Sequence, residues 1–189
     1  MKKESIFREE GCALDIEILT KYLAPLQTRS DNPAVMCVGA VSLVEANSIR
    51  KFYDRVHAQR VKVAGCNNGW HIPSHRDSFD YFAYGVQGNA CLSSPFEQAK
   101  NYLGADGFDM IMIRNPLMIS TDKMEDLFTR ALGYLLPQSH LVTLVDQGDV
   151  DDFERLIDRL AVSKVAPIVN TTTGLKAEHH TIGIFPYRE

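Results

Sequence analysis

Across residues 13–26, Leu14, Ile16, Ile18, Leu19, Tyr22 and Leu23 recur mostly at three- and four-residue spacing, which predicts a helix with one apolar stripe. Pro25 and the polar stretch QTRSDNP close it. The pattern then changes to AVMCVGA, residues 34–40, a continuous apolar run of the kind expected from a strand buried on both faces of a parallel sheet. Ser42 caps the helix predicted next, with Glu45 completing a capping box, and that helix runs to about residue 57. RVKVAGCN, residues 60–67, is a second strand, closed by Gly65 and the Asn67-Asn68-Gly69 turn.

Pro73 breaks the stretch that follows; Ser74 or Ser78 starts a short helix, and YGVQGNA, residues 84–90, gives a third strand and its turn. A short helix over 96–103 stops at Gly104, and GFDMIMIRNPL places a fourth strand at 110–113 before a turn at Asn115-Pro116. Thr121 or Asp122 caps a helix reaching about residue 135, with Met124, Leu127, Phe128, Ala131, Leu132 and Leu135 on its buried face and Pro137 ending it. HLVTLVD is the fifth strand, and DVDDFERLIDRLAV, residues 149–162, is a helix whose acidic first turn suits the positive end of the helix dipole. APIVNT and HHTIGIFPY finish the chain as two strands.

Alternation of strand and helix at this spacing implies right-handed crossovers. The expected class is α/β: a three-layer, doubly wound, mostly parallel sheet of about seven strands, with the closing strand pair antiparallel. No repeat, linker or low-complexity tract divides the chain, so residues 1–189 are read as one domain, with residues 1–31 as an N-terminal helical segment packed on it.

Composition narrows the partners. The chain of 189 residues, 45% hydrophobic and 23% charged, is ordinary for one globular core. A formal charge of −4 gives no broad basic footprint, so nucleic acid is not expected as a partner. No apolar run approaches the roughly 18 residues that span a bilayer, and no apolar segment follows the basic start MKKESIFREEGC; a cytoplasmic protein is expected, with no membrane partner. The four cysteines, Cys12, Cys37, Cys66 and Cys91, form no C-x-x-C pair, and Cys37 and Cys91 stand in apolar stretches, so reduced structural thiols are expected.

Candidate chemistry collects at strand ends. Gly39 makes either a ligand-binding turn or the plain strand-to-helix connection that any doubly wound sheet needs. Asn67 and Asn68 precede Gly69 as an ordinary turn sequence does, and also offer amides to a ligand. Arg114, Asn115 and Pro116 end a central strand, where open α/β sheets hold their ligands. Cys66, His71 and His75 are zinc-ligand types, but Pro73 interrupts the histidine pair and no fourth ligand is recognisably spaced, so no metal is expected. His179 and His180 read as exposed histidines before the last strand. No nucleophile elbow, Walker loop or kinase set is present, which leaves hydrolysis and phosphoryl transfer without an anchor.

From residue 34 onward the chain resembles the class I S-adenosylmethionine-dependent methyltransferases. GFDMIMIRNPLM is similar to that family's fourth strand, where an aromatic-Asp pair leads into an apolar strand and a polar turn facing cofactor and substrate. LFTRALGYLLPQSHLVTLV resembles the next unit, and HHTIGIFPYRE the last strand, inserted antiparallel beside the fifth. VQGNACLSSPF is similar to the segment near the adenine, with Asn89 where Asp is usual; its amide both accepts and donates hydrogen bonds.

The resemblance implies S-adenosylmethionine as cofactor, held by Gly39, Ala40, Asn67, Asn89, Ala90, Arg114 and Asn115, with Asn115 as the candidate catalytic residue that orients the acceptor. The acceptor, a small molecule or a protein, is left open, and so is a homo-oligomer. The opening motif departs from the family: Cys37 stands where an acid is usual, and Val41 and Leu43 replace the second and third glycines that let a backbone approach the cofactor. Asn67 or Asn68 replaces the carboxylate that pairs with the ribose hydroxyls. A second expectation therefore stands beside the divergent enzyme: a non-catalytic methyltransferase-fold protein acting as a binding or scaffold partner.

Overall fold

The computed structural model describes residues 32–39, 60–67, 83–87, 90–114, 121–146, 150–159, 169–172 and 179–186. The helices expected over 13–26 and 42–57, and the stretch 70–82, lie outside the described residues. Strands β1 (Ala34–Val38), β2 (Lys62–Asn67), β3 (Ala83–Gln87), β4 (Phe108–Arg114) and β5 (Leu135–Asp146) pair in parallel, in the order β3-β2-β1-β4-β5. Strand β7 (His179–Pro186) pairs antiparallel with β5 on one side and with β6 (Val169–Thr172) on the other. Helices α1 (Ser94–Leu103), α2 (Thr121–Tyr134) and α3 (Val150–Arg159) connect the later strands.

The unbroken apolar run of β1 has the cause its sequence suggests. Register places Met36 beside Ala64 and Ile111, and Val38 beside Cys66 and Ile113, all facing a core cluster with Phe96, Phe128 and Phe153 from α1, α2 and α3. Val35, Cys37, Val63, Met110, Met112 and Val142 alternate onto the opposite face and are buried as well. A strand with both faces buried has no position for polar alternation. Aromatic rings lock the helical layer to the sheet: Phe96 stacks on Tyr134 at 4.9 Å between centroids, meets Phe108 edge-on at 6.4 Å, and Phe128 packs on Phe153 at 5.9 Å.

Helix α1 ends where glycine was expected to end it. Gly104 adopts φ 60° and ψ 46°, a left-handed cap open to a residue without Cβ, and its N–H and that of Ala105 donate to the carbonyls of Asn101 and Lys100. Lys62 Nζ donates to the Leu103 carbonyl at 2.6 Å, setting a cation from β2 against the negative end of that helix. Along α2, Met124, Leu127, Phe128 and Ala131 are buried and Leu132 packs partly buried against the same core, as the helical spacing predicts.

Several boundaries differ. α2 begins at Thr121 itself and β4 extends from Phe108 to Arg114 beyond the expected 110–113, while the helix expected over 149–162 is described over Val150–Arg159. The largest correction is at Leu135, which leaves the helix to open β5, five positions before the strand expected at His140. Phe108 pairs with Leu135 and Met110 with His140, so two steps along β4 match five along β5, and the surplus contains Pro137 and Gln138 at φ 63°. A proline without N–H and a left-handed residue are tolerated there because the ladder is interrupted as in a bulge. Gly107 accommodates this irregularity: a Cβ on it would lie 2.9 Å from both Leu136 Cδ2 and the Tyr134 carbonyl oxygen. Gly107→Ala is expected to destabilise the protein by about 1–3 kcal/mol through overpacking, read as a lower chemical-denaturation midpoint; an unchanged midpoint would mean that β5 yields freely here.

Candidate functional site

In open α/β sheets ligands lie beyond the carboxyl ends of the strands, at the point where strand order reverses. That point here is the gap between β1 and β4, since the chain moves outward from β1 through β2 and β3 and then returns across it to β4. Register defines what stands there. Val38 pairs with Cys66 and Ile113, Asn67 with Gln87, and Arg114 with Leu144, so one step past Val38 the residues Gln87, Asn67, Gly39, Arg114 and Leu144 form one level across five strands. Three of the seven residues expected around a cofactor, Gly39, Asn67 and Arg114, thus share a level at the switch point. Ala40, Asn89 and Asn115 lie outside the described residues, as do Val41 and Leu43. Ala90 is in a turn after β3, partly buried against the core cluster.

Gly39 has φ 76°, a left-handed conformation that L side chains rarely adopt, so the chain leaves β1 sharply at this residue. Its N–H donates to the Cys66 carbonyl at 3.0 Å and extends the β1–β2 ladder. Cys37, two residues before Gly39, is buried at 3% exposure and leaves that position apolar.

Cys66 is 1% exposed, and burial pushes its thiol up to about 12. Cys66 packs in the core cluster; His71 and His75 lie outside the described residues. Cys91 lies in the turn after β3 and forms no disulfide. It is half-buried, with Sγ 3.4 Å from the Lys123 carbonyl oxygen, and its pKa is raised by desolvation and then by the Asp126 carboxylate, against Lys123 and Arg130. His179 and His180 open β7, where His180 pairs in register with Asp146, instead of standing before the strand.

Asp109, from the aromatic-Asp pair, lies at the other end of the sheet. Its Oδ2 accepts the Ala34 N–H at 2.8 Å, holding the start of β1 to β4, about 16 Å from Gly39 at the rise of a strand. It is a buried structural carboxylate whose pKa burial raises, partly offset by that hydrogen bond and one from its own backbone N–H.

Arg130 escaped the sequence reading. Its Nε donates to the Cys91 carbonyl at 3.0 Å and a terminal nitrogen to Ser93 Oγ at 2.7 Å, so a residue of α2 fixes the turn that carries Ala90 into α1. No local pattern marks it, because its partners are 39 and 37 positions away. Among the described residues no helix is long and apolar enough to cross a membrane.

No protein-family model matches the chain, and no curated protein sequence matches it. Solved structures do. A Listeria monocytogenes protein assigned to the class I S-adenosylmethionine-dependent methyltransferases superposes with a TM-score of 0.67 at 10% identity, covering 92% of this chain and 59% of its own. The N-methyltransferase NodS of Bradyrhizobium japonicum WM9 superposes with a TM-score of 0.62 at 13% identity, over 92% of this chain and 96% of its own. This chain has the class I methyltransferase fold. NodS in complex with S-adenosyl-L-homocysteine superposes with a TM-score of 0.58 at 12% identity, over 92% and 87% of the two chains. The chain spans about three fifths of the length of the Listeria protein and nearly all of NodS. At such identities the methyltransferase fold is what is shared; the residues at its switch point are this chain's own.

Proposed function

We propose that the chain is a divergent S-adenosylmethionine-dependent methyltransferase, built as a three-layer doubly wound sheet of seven strands with an antiparallel last strand. One observation carries the reading: the left-handed Gly39 sits level with Asn67 and Arg114 at the reversal between β1 and β4. The methyltransferase fold of NodS, which binds S-adenosyl-L-homocysteine, supports it. When bound, the cofactor supplies a sulfonium methyl group: an acceptor lone pair forms the new bond to carbon, the carbon–sulfur pair stays on sulfur, and the acceptor's proton leaves to solvent.

The protein's part is positioning, since holding the reactants at attack distance supplies much of the rate. Gly39 and Ala40 admit the cofactor close to the backbone, Asn67 receives the ribose hydroxyls, Asn89 and Ala90 the adenine, and Arg114 and Asn115 the end nearest the acceptor, which Asn115 orients. Arg130 acts behind Ala90 by fixing its turn. The acceptor is a small molecule or a protein, and a cytoplasmic location accompanies the reading.

Cys37 supports a second reading. A buried cysteine at a position where the family carries an acid suits a methyltransferase-fold protein that binds or scaffolds without catalysis. Titration with S-adenosylmethionine and S-adenosyl-L-homocysteine separates the two. At a hundred times the dissociation constant, a cofactor raises stability by about 2.7 kcal/mol, visible as a higher melting temperature. No shift with either ligand at millimolar concentration would discard the enzyme reading.

A further inference from the structure

The sequence at the start of α1 encodes one helix start, and the fold uses another. Ser94-Pro95-Phe96-Glu97 has the S-x-x-E pattern of a capping box, in which Ser94 is the cap and Glu97 reaches back to it. Pro95 favours the same start, because the residue before a proline is pushed out of helical dihedrals. The helix nevertheless includes Ser94. Ser93 before it is itself helical, at φ −71° and ψ −30°, and no side chain caps the first turn.

The groups able to cap locally are drawn to α2 instead. Arg130 donates from Nε to the Cys91 carbonyl at 3.0 Å and from a terminal nitrogen to Ser93 Oγ at 2.7 Å. Tyr134, one turn farther along α2, donates its hydroxyl to Glu97 Oε1 at 2.8 Å and bonds Ser93 as well. The Cys91 thiol lies 3.4 Å from the Lys123 carbonyl oxygen, near the start of α2. Arg130 is half-buried, so its charge-assisted bonds are screened less than bonds on open surface.

We infer, on the methyltransferase reading that puts adenine beside Ala90, that Arg130 is a positioning residue for the cofactor: it overrides the local capping box and holds the turn from Ala90 to Ser93 in its ligand-receiving form. It acts through the backbone of that turn and not by touching the ligand. Without Arg130 the helix start moves to the capping box, Ser94 Oγ takes a first-turn amide, and Ser93 leaves its helical dihedrals. The turn follows β3 at the carboxyl end of the sheet, the edge where open α/β sheets hold ligands, so this shift displaces a binding surface. Apparent affinity then falls with the fraction of molecules that keep the competent turn.

The test uses the full chain and calorimetric titration with S-adenosyl-L-homocysteine, with melting temperatures and backbone chemical shifts recorded without ligand. Arg130→Gln is expected to bind about 3- to 30-fold more weakly, and Arg130→Lys, with one cationic nitrogen in place of a fork, to recover part of that loss. Ser94→Ala removes the competing cap. Alone it should bind within about 2-fold of the unsubstituted protein, and in the Arg130→Gln background it should restore much of the lost affinity. Asp109→Ala, which loosens the opposite end of the sheet, is the stability control and should keep its affinity. Without ligand, the Ser94 Cα and Cβ shifts should move from helical to extended in Arg130→Gln; Arg130→Met, which keeps the stem, gives the same comparison if Arg130→Gln does not fold. Ser94 shifts that stay helical overturn the inference, as does a double variant that binds no better than Arg130→Gln. A loss in Asp109→Ala as large as in Arg130→Gln also overturns it, by showing general softening of the fold. These outcomes leave the methyltransferase reading in place, whereas failure of the unsubstituted protein to bind S-adenosyl-L-homocysteine removes both.

Discussion

Phe96→Ala is expected to destabilise the protein by about 3–5 kcal/mol, the usual cost of deleting a fully buried phenyl ring. Phe96 is 0% exposed and contacts two other aromatics, Tyr134 face to face and Phe108 edge to face, so its removal opens a cavity between α1, the end of α2 and the start of β4. Those segments are already held to one another by the core cluster and by the Phe108–Leu135 pairing, which limits how far they can close on the void. In a domain of this size such a loss lowers the melting temperature by roughly 6–20 °C. Tyr134→Phe is the control. It keeps the stacked ring and removes the exposed hydroxyl with its bonds to Glu97, at 2.8 Å, and to Ser93, so a loss of about 1 kcal/mol is expected. A Phe96→Ala protein as stable as that control would mean that the ring contacts contribute nothing.

Asp109→Ala is expected to cost about 1–3 kcal/mol, because the Ala34 N–H then loses its acceptor in the interior. Asp109→Asn keeps an acceptor oxygen and removes a charge that burial disfavors, so it should be milder. The two also differ in pH dependence. The folded-state pKa of Asp109 is raised, so the folded protein holds its proton more tightly than the unfolded chain does. Its contribution is therefore most favorable below the unfolded value near 4 and declines as pH rises through the raised folded value. Asp109→Asn should flatten that part of the stability profile. Equal losses for the two variants, measured by urea unfolding at neutral pH, would show that a retained amide oxygen does not replace the carboxylate at the Ala34 N–H.

What local pattern could carry was legible. AVMCV reads as a doubly buried strand because each position is apolar, and Gly104 reads as a helix stop because few other residues take a left-handed cap. Met124, Leu127, Phe128 and Ala131 were visible as one helix face. Leu135 misled because it continues that face by spacing, while its actual partner is Phe108, a pairing decided by tertiary contact. Pro137 looked like a break between elements and instead lies in the irregular early part of β5. Gly39, Asn67 and Arg114 could each be named as strand-end residues, but only register shows that they share a level. Arg130 and Lys62 act through carbonyls 39 and 41 positions away and leave no periodic trace.

The position of β1 in the middle of the parallel sheet has a consequence for synthesis. Its second neighbor, β4, and the Asp109 carboxylate that ties it down come 75 positions later in the chain. At ordinary ribosomal rates of 5–20 residues per second, the Ala34–Val38 run waits about 4–15 s for that neighbor. During that interval one long edge of its backbone has no permanent mate, so a segment that ends with both faces buried is made long before the strand that completes its pairing.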